Sequence, residues 1–404
     1  MGRIKGLRIR QLRTQHEAEQ ALTKLGAHWQ GVNIMAPKAL FKCIEIRGLT
    51  PLEATFLKQG ILSKGGECAL PMETFRGEAK EVDAILMGTH YQLFELCKRL
   101  RKQPFALKRI PEELRRALKG FEGNCSLLLK SGKKLKFGKR TRIMGVVNVT
   151  PDSFSDGGRF FDPETAIEHG LLLASQGADV LDIGGESTRP FAQPVTIDQE
   201  LSRVIPVIKG LASKVKVPIS IDTYHPEVAK KAIKAGATIV NDVFGLRSKG
   251  MAQLCAKEKV PVVIMHMQGE PRNMQQDPSY VDVVGEVYDF LSAQSEAAIQ
   301  AGVRPERIVI DPGIGFGKTL QHNLLLMKNV AELRSLGYPV LLGPSRKSFI
   351  AGVTKLPVDK RLYGTLGAVC TGALSGADMV RVHDVLEARQ ALDIVDAIKG
   401  VKGE

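Results

Sequence analysis

The feature that most constrains this chain is a repeat that begins near Arg142, in which short apolar runs alternate with longer amphipathic segments. The runs cover residues 143–149, 179–184, 217–222, 238–243, 261–267, 308–311, 339–343 and 378–383. Each is rich in Val, Ile or Leu and shows no polar alternation, the pattern of strands covered on both faces. Between them, segments such as 163–176, 226–235, 280–301 and 321–336 carry helical periodicity. Proline sits at or near several helix starts, and Gly177, Gly236, Gly302 and Gly337 follow helix ends, as helix termini favour. Eight β-then-α units between residues 141 and 404 predict a (β/α)8 TIM barrel, which takes about 250 residues. A doubly wound open sheet is the alternative, but no G-x-G-x-x-G follows the first run.

A chain of 404 residues exceeds one ordinary core, so more than one domain is expected. Residues 1–125 read as a smaller α/β domain, with strands at 42–47 and 82–88 and helices at 51–62 and 91–102. Residues 126–140 hold two short strands, 126–130 and 134–137, around Ser131-Gly132-Lys133, a β-hairpin signal expected to cap the bottom of the barrel at 141–404. Charge separates the regions further. Residues 1–140 contain 28 Lys/Arg against 13 Asp/Glu, a net of +15, whereas the rest holds 29 against 30. Few aromatics interleave with these basic residues, so a solvated basic face is expected and a nucleic-acid partner is not.

No apolar run reaches the roughly 18 residues of a membrane span, and the basic start is followed by polar sequence where a signal peptide would be apolar. Six scattered cysteines without a C-x-x-C pair fit free thiols in a reducing cytoplasm.

In a barrel of this kind, function is read at the C-terminal ends of the strands. All eight ends here carry polar groups, from Asn148 after the first to Arg381 and His383 at the last. One Asp or Asn after a strand is often a helix cap, but eight convergent polar ends make a site. Asp222, Asn241 and Asp311 supply two carboxylates and an amide, suited to the N–H donors and carbonyl of an amino-pyrimidinone. Arg189, Lys347, Arg381 and His383 supply cations, so the second ligand or leaving group should be anionic. Asn148 and Asp156 offer oxygens compatible with a Mg2+ that keeps most of its waters. His266 ends a strand and fits either a core or a mouth position, and His225 reads as a surface residue at a helix start. The glycine-rich stretch from Asp311 to Gly317 reads as a tight turn at the site.

The segments MGVVNVTPDSFSDGG (144–158), DIGGESTRP (182–190), IDT (221–223), NDV (241–243), MHM (265–267), DPGIGFGK (311–318), SRKSF (345–349) and RVHD (381–384) resemble dihydropteroate synthases in order and spacing across 141–404. The resemblance implies condensation of 6-hydroxymethyl-7,8-dihydropterin diphosphate with p-aminobenzoate, giving 7,8-dihydropteroate and diphosphate for folate biosynthesis. It implies a pterin held by Asp222, Asn241, Asp311 and Lys347, and a diphosphate met by Thr188, Arg189, Arg381 and His383. Mg2+ would sit on Asn148, and the amine carboxylate near Ser348. Phe154 and Asp156 on the first loop, with Arg189 and Lys347, would serve catalysis, and sulfonamides would mimic the amine substrate. A homodimer formed through the barrel is expected. A pterin-dependent methyltransferase of the same barrel type is the alternative, but it needs neither the SRKSF and RVHD cations nor the PDSFSDGG loop. Phe191 follows Pro190 where the resembled family usually carries Gly, and its ring is expected to line the amine site.

Overall fold

The computed structural model describes residues 8–103, 106–123, 125–150, 162–186, 195–270 and 274–401. The chain divides into two compact units, Met1–Arg116 with Val401–Glu404, and Ala117–Gly400.

In the first unit, β1 (Phe41–Leu49), β2 (Glu67–Ala69) and β3 (Val82–Thr89) form an antiparallel sheet with β3 in the centre. Burial alternates along β3, so one face is covered and the other is open. Helices Pro51–Leu62 and His90–Leu100 cover it, burying Leu57, Ile61, Leu93 and Leu96 beside Ala84 and Leu86. Each helix starts on a reciprocal cap, Thr50 with Glu53 and Thr89 with Gln92, which satisfies orphan backbone donors. The helices Gln15–Lys24, Trp29–Met35 and Ile110–Phe121 and the short strand β2 were not expected from the sequence.

In the second unit, β4 (Ser126–Leu128) and β5 (Lys134–Lys136) form the antiparallel hairpin, its turn passing through Gly132 at φ +83°. Eight parallel strands follow: β6 (Arg142–Asn148), β7 (Val180–Gly184), β8 (Ile219–Asp222), β9 (Ile239–Asp242), β10 (Val262–Met265), β11 (Ile308–Asp311), β12 (Leu341–Leu342) and β13 (Met379–Val382). Neighbours in sequence pair in register, β13 returns to β6, and a parallel bridge between Ile310 and Val340 closes the ring. This is the TIM barrel that the repeat predicts.

One correction concerns the segment 321–336, expected as a single helix. It breaks at Asn329, whose backbone leaves the helical region (φ −108°, ψ 27°) and whose side-chain amide donates to the Leu325 carbonyl at 3.1 Å. The Leu325 carbonyl also receives the Asn329 backbone N–H at 3.0 Å, so the side chain adds a second donor to it and fixes the helix end there. Helices Leu320–Lys328 and Val330–Arg334 result.

The hairpin places Leu127 and Phe137 in one buried cluster with Met144, Val180, Ile239, Val263, Val309, Leu341 and Met379. Those partners lie at or near the N-terminal ends of seven barrel strands, so the hairpin plugs the bottom and leaves the opposite end for chemistry.

Candidate active site

The polar floor of the mouth starts inside β7. Asp182 is fully buried, and its Oδ2 accepts from Asn241 Nδ2 at 3.0 Å and from Arg381 Nε at 2.6 Å. The same guanidinium donates through Nη2 to Asp222 Oδ2 at 2.7 Å. One cation from β13 thereby holds two carboxylates from β7 and β8, and the amide of β9 locks onto the first. Burial of these charges is tolerable because they are paired and hydrogen-bonded. Asp182 Oδ1, by contrast, is buried without a hydrogen-bond partner among the described residues, an arrangement costing about 1–3 kcal/mol that a ligand N–H would relieve.

Burial pushes the Asp222 carboxyl up to about 7 against the pull of Arg381, with Asp182 and Asp242 adding to the rise. Burial also raises Asp311, opposed mainly by Lys347. It lowers the Lys347 ammonium to about 7, with Asp311 resisting. For Arg381 burial acts downward but Asp182 and Asp222 outweigh it, so the guanidinium stays charged. Opposed shifts of this kind gather at functional sites.

The stretch after β11 is a turn that only glycine can make. Gly313, Gly315 and Gly317 have φ of +69°, +82° and +59°. A Cβ on Gly313 would lie 1.9 Å from the His266 carbonyl oxygen, so both sterics and backbone angle demand glycine there. Asp311 Oδ1 accepts from Gly313 N at 2.7 Å. The turn in turn seats Lys347, whose Nζ donates to the Ile314 carbonyl and lies 4.1 Å from the Phe316 ring centre. His266 is buried beneath this turn, its Nδ1 2.9 Å from Lys318 Nζ, and burial holds its pKa down to about 2.

A second group lies where β6, β12 and β13 end. Asn148 Nδ2 is 3.4 Å from His383 Nε2, and His383 Nδ1 is 2.9 Å from Ser345 Oγ. Ser348 opens the helix Ser348–Thr354 and is exposed. The structure therefore brings Asp222, Asn241, Asp311, Lys347 and Arg381 together in one floor, and Asn148 with His383 in a neighbouring pair. Arg381, expected on the diphosphate, donates through Nε to Asp182 and through Nη2 to Asp222. Phe154, Asp156, Thr188, Arg189 and Phe191 lie outside the described residues. Asp182 and Ser345 had no assigned role in the sequence reading. The signal for Asp182 was a carboxylate within the apolar run 179–184, which demands buried partners.

A floor of carboxylates and an amide at the mouth of a closed barrel has the acceptors that a flat, donor-rich heterocycle would need, and residues 144–383 match the family of pterin binding enzymes. Within that class the chain belongs to the dihydropteroate synthases. It is 46% identical over 264 residues to the dihydropteroate synthase of Synechocystis sp., covering 65% of this chain and 91% of that protein. A probable bifunctional folylpolyglutamate synthase/dihydropteroate synthase of Halobacterium salinarum is 40% identical over 383 residues, 95% of this chain and 46% of that protein. That match is longer than the unit Ala117–Gly400, so the archaeal similarity extends into the N-terminal unit. Among solved structures, Xanthomonas albilineans dihydropteroate synthase with 4-aminobenzoic acid superposes with a TM-score of 0.65 at 45% identity, covering 69% of this chain and all of that one. None of these favours the methyltransferase alternative.

Proposed function

We propose that the mouth condenses 6-hydroxymethyl-7,8-dihydropterin diphosphate with p-aminobenzoate, yielding 7,8-dihydropteroate and diphosphate. The observation that carries this is the array of Asp182, Asp222, Asn241 and Asp311, with an unsatisfied acceptor on Asp182. The pterin's ring N–H and amino donors would meet these acceptors. The bond between the pterin CH2 carbon and the diphosphate oxygen breaks, and the amine nitrogen of p-aminobenzoate forms the new bond to that carbon. The amine proton leaves to solvent or to the departing diphosphate. As the C–O bond weakens, positive charge spreads into the ring, and the buried carboxylates stabilise it without reorganising. No protein nucleophile is required.

Lys347, with its pKa near 7, can hold a proton at Nζ when an anionic ligand arrives. Asn148 and His383, 3.4 Å apart, would by the family resemblance meet the departing diphosphate together with Thr188 and Arg189. Phe154 and Asp156 would close over the amine, whose carboxylate lies toward Ser348. Asn148 fits a Mg2+ ligand: with its Nδ2 toward His383, its amide oxygen is the atom that would meet a cation retaining most of its waters. When bound, Mg2+ would neutralise charge on the leaving diphosphate.

Two further readings belong to the same proposal. The first is a homodimer through the barrel, supported by large apolar side chains left exposed on adjacent helices. Tyr363 on Leu362–Leu374 is 83% exposed, and Ile394 and Ile398 on Val385–Gly400 are each 64% exposed. The second is a cytoplasmic setting, supported by six unpaired cysteines. Among the described residues no helix is long and apolar enough to cross a membrane.

The deciding experiment measures diphosphate release from the pterin diphosphate with and without p-aminobenzoate. Amine-dependent release is expected, and no release in either arm would refute the reading. Sulfonamides should then compete with p-aminobenzoate; competition with the pterin diphosphate instead would contradict the placement of the amine site.

A further inference from the structure

We propose that Glu186, Glu200 and His225 form a second cation site, separate from the Mg2+ proposed at Asn148, for a divalent transition ion of the Zn2+ or Mn2+ kind.

Three elements converge there. Glu186 follows β7, Glu200 lies in the first turn of the helix Ile197–Ala212, and His225 caps the helix Pro226–Ala235 after β8. One ligand atom from each lies within 4.8 Å of the others, and His225 Nε2 is 3.8 Å from Glu186 Oε2. Two atoms bound at about 2.1 Å in tetrahedral coordination are about 3.4 Å apart. Closing the trio therefore needs side-chain movement of up to about 1.4 Å.

The state of Glu200 points independently to a missing ligand. It is 1% exposed, and among the described residues neither of its carboxylate oxygens makes a hydrogen bond of normal geometry, although the Thr223 hydroxyl lies close enough to favour its ionised form. Glu186 Oε2 is likewise buried without one, although Glu186 Oε1 receives Tyr224 Oη at 3.2 Å. Two buried carboxylates side by side, one of them only half satisfied, repel each other and lack solvation, so something positive should join them. The Thr223 hydroxyl and Arg203 act on Glu200 in the favourable sense, whereas Glu186 and Asp222 oppose ionisation. Arg203 donates instead to the Gly185 carbonyl at 2.7 Å.

The packing shows that this closeness is built in. A Cβ on Gly185 would sit 2.7 Å from Val204 Cγ1 and 3.1 Å from Glu200 Cγ, so glycine lets the helix press Glu200 against the strand exit. Two carboxylates with an imidazole suit Zn2+ or Mn2+, because the nitrogen ligand disfavours Mg2+ and Ca2+. Bound there, the ion would tie the exit of β7 to the start of the helix after β8. The competing arrangement is a proton shared between the two carboxyls, with no ion.

The test uses metal-depleted full-length protein carrying Asn148→Ala, which removes the proposed Mg2+ ligand. Mn2+ uptake is followed by electron paramagnetic resonance, and Zn2+ binding by calorimetry. One ion per chain is expected, with affinity falling about tenfold or more in Glu200→Gln and in His225→Ala. No uptake, or uptake indifferent to both substitutions, overturns the site and leaves the shared proton. If circular dichroism shows Glu200→Gln unfolded, His225→Ala decides alone, because its half-buried side chain caps a helix without a side-chain hydrogen bond. Neither readout depends on catalysis.

Discussion

The two ends of the barrel are made by the same eight strands and follow opposite rules. At the bottom, Leu127 and Phe137 of the hairpin meet a ring of buried apolar side chains. At the mouth, Asp182, Asn241 and Asp311 are buried as deeply, yet Asp182 keeps an unsatisfied oxygen and Asp222, Asp311 and Lys347 have displaced pKa values. Burial at one end lowers the free energy of the fold. At the other it is held against that free energy, so that a ligand can complete it.

The sharpest way to test this contrast is Arg381→Ala. It strands two buried carboxylates, which costs about 3–5 kcal/mol of stability, and activity should be lost with it. Adding Asp182→Asn should recover much of the stability and none of the activity. Recovery of both in a diphosphate-release assay would mean that the clamp is structural only. At the other end, Leu127→Ala should cost about 2–5 kcal/mol in chemical denaturation and leave kcat/KM of the folded enzyme unchanged. A matching fall in kcat/KM would break the division between the ends.

A smaller effect follows acidity. Between about 2, where His266 titrates when folded, and its ordinary 6.5, the unfolded chain binds a proton that the folded chain refuses. Stability should therefore fall as pH drops through this window, by up to about 1.4 kcal/mol per pH unit from this group. His266→Asn should flatten the denaturation midpoint against pH over that range. An unchanged slope would show that His266 accepts its proton within the fold.

The barrel was legible because doubly covered strands write themselves as unbroken apolar runs, and β11 appears at its expected bounds of Ile308–Asp311. The mouth was legible as a set of polar strand ends, but its wiring was not. Asp182 meets Asn241 across 59 residues and Arg381 across 199, and no local pattern reports a partner that distant. Glu200 sat inside a helix, where a carboxylate reads as solvated surface, until Gly185 brought that helix against the strand exit. His225, read as a surface residue, proves half-buried beside Glu186. In the N-terminal unit, the helices Pro51–Leu62 and His90–Leu100 were legible at 51–62 and 91–102, while the capping boxes that start them were not read. The three-residue strand β2 was too short to carry a period of its own.

The smallest expected effect concerns that N-terminal unit. Every side chain placed in the floor, and the hairpin beneath it, belongs to Ala117–Gly400. A chain beginning at Ala117 keeps Leu127 and Phe137, and so keeps the plug that distinguishes bottom from mouth. Its kcat/KM should lie within about twofold of the parent, which is roughly 0.4 kcal/mol on the scale where tenfold is 1.4. Starting instead at residue 138 removes the hairpin and uncovers Met144, Val180 and Val309. That loss should unfold the barrel or drive it to aggregate. If the chain from Ala117 folds by circular dichroism but releases no diphosphate, the N-terminal unit is part of the catalytic machinery. Comparing the two truncations tells which boundary matters: an inactive first and a folded second would reverse the assignment of roles to the two ends.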